Sequence, residues 1–338
     1  MLLNPLRSLT ESLMACATFA TDRAATQELK PRLEVRQPTL KIQVITNVNN
    51  GAGLQRDAAL LADSLKKLGH EPILKQVRDS HTSELCDLNI FLELMERRFF
   101  RDAKRNWFIP NPEWWHSEWT DLLPKCDRIL AKTRDAEKIF SVLHPRVTFT
   151  GFTSPDFLDP LVRRERRFFH LGGHSEMKNS YSILRAWREF HLPYPLTFIW
   201  THLPGPPCTG LVTTRTKVDD AELKALYNSH VFHLCPSGYE GWGHYWHEAL
   251  SCGANVIGTN HPPMSEFHAL ARVGAHLSKT QQLASVCVTE PVDIAEIVRK
   301  VAHLPEEVLA ADRRAARASF ERGHLEFTAN LEKLLNEH

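Results

Sequence analysis

Leu234-Cys-Pro-Ser-Gly-Tyr-Glu-Gly-Trp-Gly-His-Tyr-Trp-His-Glu-Ala-Leu-Ser-Cys-Gly-Ala-Asn-Val-Ile-Gly258 is the stretch that decides the architecture of this chain. The apolar run 231–234 reads as a strand, and Gly238, Gly241 and Gly243 then let the backbone turn sharply and approach a ligand closely. A helix follows from His244 to Ser251, and 255–257 returns to strand. Strand, loop, helix, strand is the unit of a parallel α/β sheet. The helix N-terminus at the carboxyl end of such a strand is where a phosphate or diphosphate binds, through unpaired amides and the helix dipole. Two carboxylates flank that place, Glu240 in the loop and Glu248 about one turn into the helix. Beside phosphates a carboxylate is electrostatically costly, but as an acceptor-only group it suits the vicinal hydroxyls of a ribose or a hexose.

Outward from this segment the same alternation recurs in both directions. Upstream within the second half it reads strand 168–171, helix 181–190, strand 196–200 and helix 220–227. The first half shows strands at 41–46, 72–74, 88–92, 107–109, 128–131 and 147–150. Its first helix is marked by Leu61, Leu65 and Leu68 with Gly69 just beyond. A proline-bounded, then strongly charged stretch at 156–167 reads as the linker. At 338 residues the chain exceeds what one core usually supports, so two domains of roughly 150 residues are expected, with a cleft between them. The expected division is an N-terminal extension over 1–38 with an amphipathic helix, a first domain over 39–160, a second over 166–315, and a C-terminal helix over 316–338 that returns to the first domain.

A net charge of only +1 gives no whole-molecule attraction to nucleic acid or anionic lipid, so any such contact would be local. The seven cysteines are odd in number and lack a CxxC pair, which points away from a disulfide framework or zinc site and toward a reducing cytoplasm. No stretch approaches the roughly 20 apolar residues that span a membrane. Residues 1–23 carry no uninterrupted signal-peptide core.

The quoted segment resembles the retaining family four of glycosyltransferases with the GT-B fold, two Rossmann-like domains facing a cleft. That family's pattern is read here in Pro236, Ser237, Glu240, Gly241, Trp242, Gly243, Glu248, Ala249, Leu250, Cys252 and Gly253, followed by the strand residues Val256 and Ile257. The match continues to Thr259 and to Glu266 of the Pro-Pro-Met-Ser-Glu run. The resemblance implies that Glu248 holds the ribose of a nucleotide-sugar donor and that Glu240 contacts the transferred sugar. Gly243, His244 and Tyr245 then lie at the distal phosphate. Upstream, Leu171-Gly-Gly-His-Ser-Glu-Met-Lys178 resembles the family's Gly-Arg and Lys, which clamp the diphosphate. Lys178 matches the lysine. Gly173 stands where the arginine is expected, leaving His174 or Ser175 as substitute donors.

In the first half the likeness is one of position. Asn49, Asn50, Gly51 and Gly53 occupy the first strand-to-helix turn, facing phosphates or acceptor. Glu93 and Glu113 stand at carboxyl ends of strands, as acceptor contacts or ordinary loop carboxylates. The basic run Arg97-Arg-Phe-Phe-Arg-Asp-Ala-Lys-Arg105 reads either as a solvated helix face or as a seat for an anionic acceptor or membrane surface. The implied activity is transfer of a sugar from a nucleotide-sugar co-substrate to an acceptor hydroxyl with retention, without cofactor or metal. The acceptor class is left open among glycan, lipid, small molecule, protein and nucleic acid. The alternatives are a non-catalytic nucleotide-sugar-binding scaffold and a DNA-modifying glycosyltransferase.

Overall fold

The computed structural model describes residues 38–47, 53–80, 84–202 and 212–337. In chain order the first part comprises β1 (Lys41–Thr46), α1 (Gly53–Lys67), β2 (Glu71–Gln76), β3 (Cys86–Leu92), β4 (Ala103–Ile109), β5 (Arg128–Ala131), α2 (Arg134–Ser141) and β6 (Val147–Phe149). The second comprises β7 (Glu165–Gly173), α3 (Ser180–Glu189), β8 (Leu196–Trp200), β9 (Val212–Arg215), α4 (Asp220–Ser229), β10 (His230–Cys235), α5 (His244–Ser251), β11 (Asn255–Thr259) and β12 (Ala271–Val273). A hairpin of β13 (His276–Gln281) and β14 (Ala284–Val288) follows, then α6 (Pro291–Ala302) and α7 (Glu306–Asn336).

Two six-stranded sheets result, ordered β2-β1-β3-β4-β5-β6 and β12-β11-β10-β7-β8-β9, with every paired strand parallel. Parallel sheets are covered on both faces, and the strands show why. In β1, Ile42 and Val44 enter one core and Ile45 the other. In β4, Trp107 and Ile109 oppose Phe108 in the same way. Phe168 and Phe169 in β7 divide likewise between the two cores of the second sheet. Strand order reverses between β1 and β3 in one sheet and between β7 and β10 in the other. Crevices at the carboxyl ends of strands beside such reversals are where open α/β sheets bind ligands.

Helix α7 serves both halves. Leu309 packs in the core on one face of the second sheet, Ala316 and Phe320 in the core on its other face, and Phe327, Leu331, Leu334 and Leu335 in the core of the first. Two expectations change. The charged residues Glu165 to Arg167 belong to β7 rather than to the linker, because the strand's solvent-exposed start tolerates charge. The basic run is not one helix face. Arg97–Arg101 is a 3-10 turn with Phe99 buried beneath it, and Ala103 starts β4, paired to β3. Arg98 donates to the Val77 carbonyl and covers the Phe99 ring, while Lys104 pairs with Asp87 at 2.8 Å. Among the described residues no helix is long and apolar enough to cross a membrane.

Replacing Leu331, which is fully buried, by alanine is expected to cost about 2–5 kcal/mol in urea unfolding, as for other buried leucines. The same change at Leu325, 68% exposed on the same helix, is expected to fall within about 0.5 kcal/mol.

Candidate functional site

The carboxyl ends of β1, β3, β4 and β5 face those of β7 and β10 across a cleft of about 480 Å³. The β10–α5 loop supplies its second-domain wall. Gly243 takes a left-handed φ of +76°, which lets α5 start with its amides toward the cleft. The amides of Trp246 and His247 donate back to the Gly243 carbonyl. Those of His244 and Tyr245 precede the repeating helical bonds.

Glu248 is wholly buried at the cleft's base, where it accepts from the Tyr227 hydroxyl at 2.7 Å and from the Arg56 guanidinium, which reaches over from α1 of the first domain. Burial, then the adjacent Glu248 charge, push the Tyr227 phenol well above its ordinary range, so it acts as a donor. Glu240 accepts from Ser237 Oγ at 2.6 Å, and the Ser237 hydroxyl also meets the Tyr245 hydroxyl. Burial raises the Glu240 pKa, and Lys178 opposes that rise. The Lys178 ammonium donates to the Leu171 carbonyl at 3.1 Å and lies 4.0 Å above the Tyr245 ring. Desolvation lowers its pKa, while Glu240 and Glu248 both pull it back up.

The sequence-selected residues divide plainly. Glu240, Lys178, Glu248, Gly243, His244, Tyr245, Ser175, Gly53, Glu93 and Glu113 all line the cleft. Gly173 and His174 do not. Gly173 has a φ of +58° and open space where a Cβ would lie, and the exposed His174 stands beside His202. His174 is therefore poorly placed to replace a missing arginine. Ser175 spends its hydroxyl on the Met177 amide at 3.3 Å. Asn49, Asn50 and Gly51 lie outside the described residues. Glu266 accepts from the Arg134 and Asp135 amides at 2.7 Å each, capping α2 from the opposite domain. Among the described residues, no group of three His, Cys, Asp or Glu side chains is arranged to hold a metal ion.

Arg56, Asp57, Asn111 and Lys132, which the sequence reading did not select, also line the cleft. Lys132 is only 1% exposed and donates to Asp57 at 2.6 Å. The other Asp57 oxygen meets His244 Nε2, His244 Nδ1 meets Ser154 Oγ at 2.8 Å, and Trp242 Nε1 donates to that same oxygen at 3.0 Å. One ring proton on Nε2 satisfies the whole chain: Trp242 donates to Ser154, Ser154 to His244, and His244 to Asp57. Burial alone would raise the Asp57 pKa, but Lys132 and His244 overcome it and hold the carboxyl at about 2. The usable signal was positional, since Lys132 directly follows β5 and Arg56 and Asp57 open α1.

Glu113 Oε1 accepts from the Gly241 amide at 2.9 Å, so it too bridges the domains. Burial, followed by repulsion from Glu93, pushes its pKa up to about 8.

No protein-family model and no curated protein matches this chain. The fold is similar to that of a glycosyltransferase from Rickettsia africae, with a TM-score of 0.64 at 12% identity over 89% of this chain and 100% of that one. Sucrose-phosphate synthase from Thermosynechococcus elongatus gives 0.61 at 11% identity over 88% and 100%. HepE of Anabaena, solved with UDP and glucose, gives 0.62 at 12% identity over 88% and 98%. At these identities the likeness is one of fold, and the chain has the α/β two-domain GT-B architecture.

Asp57→Asn leaves Lys132 buried without its counter-charge and is expected to cost about 3–5 kcal/mol in chemical unfolding. A raised carboxyl pKa means that the folded state binds the extra proton, so Glu113 makes stability fall as pH rises from its ordinary 4.5 through about 8. Melting temperatures of Glu113→Gln across that window are expected to be flatter than those of the parent, since the amide keeps the acceptor for Gly241 and does not titrate.

Proposed function

We propose that this chain is a glycosyltransferase that moves a sugar from a nucleoside-diphosphate sugar to an acceptor hydroxyl with retention of configuration. The observation that carries the reading is that Lys178, Glu240, Glu248 and the start of α5 share one cleft at the β7–β10 strand reversal. The resemblance of the 234–258 segment to family four, and a fold shared with a protein solved bound to UDP and glucose, support it.

In this reading Glu248 accepts the ribose hydroxyls and exchanges its present partner Arg56 for them. Lys178 and the first α5 amides meet the charge that develops on the departing diphosphate. Glu240 accepts from hydroxyls of the transferred sugar. The bond from the anomeric carbon to the diphosphate oxygen breaks, and its electrons leave with the diphosphate. The acceptor oxygen bonds to the same face of that carbon, and its proton passes to the leaving oxygen. No cofactor beyond the nucleotide sugar, and no metal, enters this scheme. A reducing, cytoplasmic setting fits the buried free thiols of Cys86, Cys126, Cys235, Cys252 and Cys287.

A second reading, a binding scaffold without turnover, rests on the absence of a cation at Gly173. No residue of the 97–105 run lines the cleft.

The test is release of nucleoside diphosphate from a panel of UDP-, GDP-, ADP- and dTDP-sugars, with calorimetry on the free diphosphates. Release is expected with one donor class, whereas binding without release, even with acceptor extracts, would favour the scaffold. Glu248→Gln is expected to weaken both diphosphate and intact donor by about 1–3 kcal/mol. Glu240→Gln is expected to spare the free diphosphate and reduce turnover. Equal loss of diphosphate affinity in both variants would sink the separate roles.

A further inference from the structure

We propose that the first domain's wall of the cleft is a binding site for a neutral saccharide, with Trp114 as a stacking face and Glu93, Asn111 and Glu113 as hydroxyl partners. Only the designation of this saccharide as acceptor rests on the transferase reading above.

Trp114 is 49% exposed and lines the cleft, whereas its neighbours Trp107 and Trp115 are 3% and 6% exposed. Its position is held by the second domain. The Leu283 amide donates to the Pro112 carbonyl at 3.1 Å, and Gln281 Nε2 to the Glu113 carbonyl at 3.3 Å. A half-exposed indole in the cleft, carried on a backbone anchored at the two preceding residues, offers apolar area to the C–H face of a sugar ring.

The polar groups beside it are incompletely used. Glu113 is 4% exposed, and while Oε1 takes the Gly241 amide, buried Oε2 has no hydrogen-bond partner among the described residues. Asn111 Oδ1 is likewise buried and unpartnered, although Asn111 Nδ2 donates to Glu93. Such groups are costly to leave unsatisfied, and a ligand's hydroxyls can satisfy both. Glu93 is held at φ +65°, an unfavourable backbone for a non-glycine residue and one that clusters at ligand sites.

The same groups abut the loop assigned to the donor sugar. A Cβ on Gly241 would lie 2.4 Å from Asn111 Oδ1 and 2.9 Å from Glu113 Oε1, so only glycine permits this approach. Charge selects the ligand class. None of these four side chains is a cation, and Lys132, whose charge reaches Glu93 and Glu113, is already paired with Asp57. Glu113, with its raised pKa, is largely a neutral acid near neutrality and can donate as well as accept.

Saturation-transfer NMR on the full chain tests this with methyl α-D-glucopyranoside, methyl α-D-mannopyranoside, methyl β-D-galactopyranoside and glucose 6-phosphate, each without nucleotide. At least one methyl hexoside is expected to bind, with glucose 6-phosphate about tenfold weaker than the methyl glucoside and Trp114→Ala about tenfold weaker for the glycoside. Trp114→Phe is expected to restore most of the affinity, and matching melting curves confirm that both variants fold. Lys178→Ala is expected to lose UDP affinity and keep the glycoside. Failure of every methyl hexoside to bind, parent-like affinity in Trp114→Ala, or tighter binding of glucose 6-phosphate would overturn the proposal. Glycoside binding lost with Trp114 in a protein that binds no nucleotide would uphold the saccharide site and remove the transferase reading.

Discussion

The ammonium of Lys132 has almost no contact with solvent, and a charge in that condition must be paired. Its partner Asp57 comes from α1 of the same domain, but Asp57 has a second oxygen, and that one is met by His244 at the start of α5 in the other domain. Ser154, in the segment joining the sheets, and Trp242, in the β10–α5 loop, extend the chain of hydrogen bonds. The need to neutralise one buried cation thus draws four chain segments together and sets α5 against α1. The floor of the cleft follows from this arrangement.

The walls of the cleft are stitched by further contacts of the same polar kind. Glu113 takes the Gly241 amide, Tyr239 donates to Asp135 at 2.8 Å, Glu266 caps α2, and Arg56 pairs with Glu248. These differ from the apolar contacts inside each half in one respect that matters for function. A hydrogen bond to a carboxylate can be exchanged for another donor, such as a sugar hydroxyl, at small net cost. Packed side chains cannot be exchanged in that way. Arg56 and Glu248 show this most clearly, because a wholly buried carboxylate is held there by a partly exposed arginine.

Helix α7 imposes the complementary constraint. Its 31 residues contribute Leu309, Ala316 and Phe320 to the second domain and Phe327 through Leu335 to the first. A continuous helix is stiff along its axis, so it limits how far the halves can separate without withdrawing apolar side chains from one core.

Fold class was legible because both periodicities are strong in this chain. The β-branched and aromatic runs at 41–46, 88–92 and 231–234 and the glycine loop before His244 read as buried strands and a tight turn into a helix. Lys178, Glu240 and Glu248 were singled out by the resemblance of their two segments, and the structure brings all three to one cleft. What sequence could not reveal lies across the cleft. Arg56 and Glu248 are 192 residues apart, His244 and Asp57 187, and Glu113 and Gly241 128. Neither local spacing nor hydrophobic period connects them. The basic 97–105 run was misjudged because its charges alternate with residues that pack beneath them, and only pairing with β3 shows which side each takes. Sequence alone therefore determined which residues stand at the ends of strands. Tertiary structure decided which of them face each other, because a buried charge selects its partner by proximity in space and by exclusion from water.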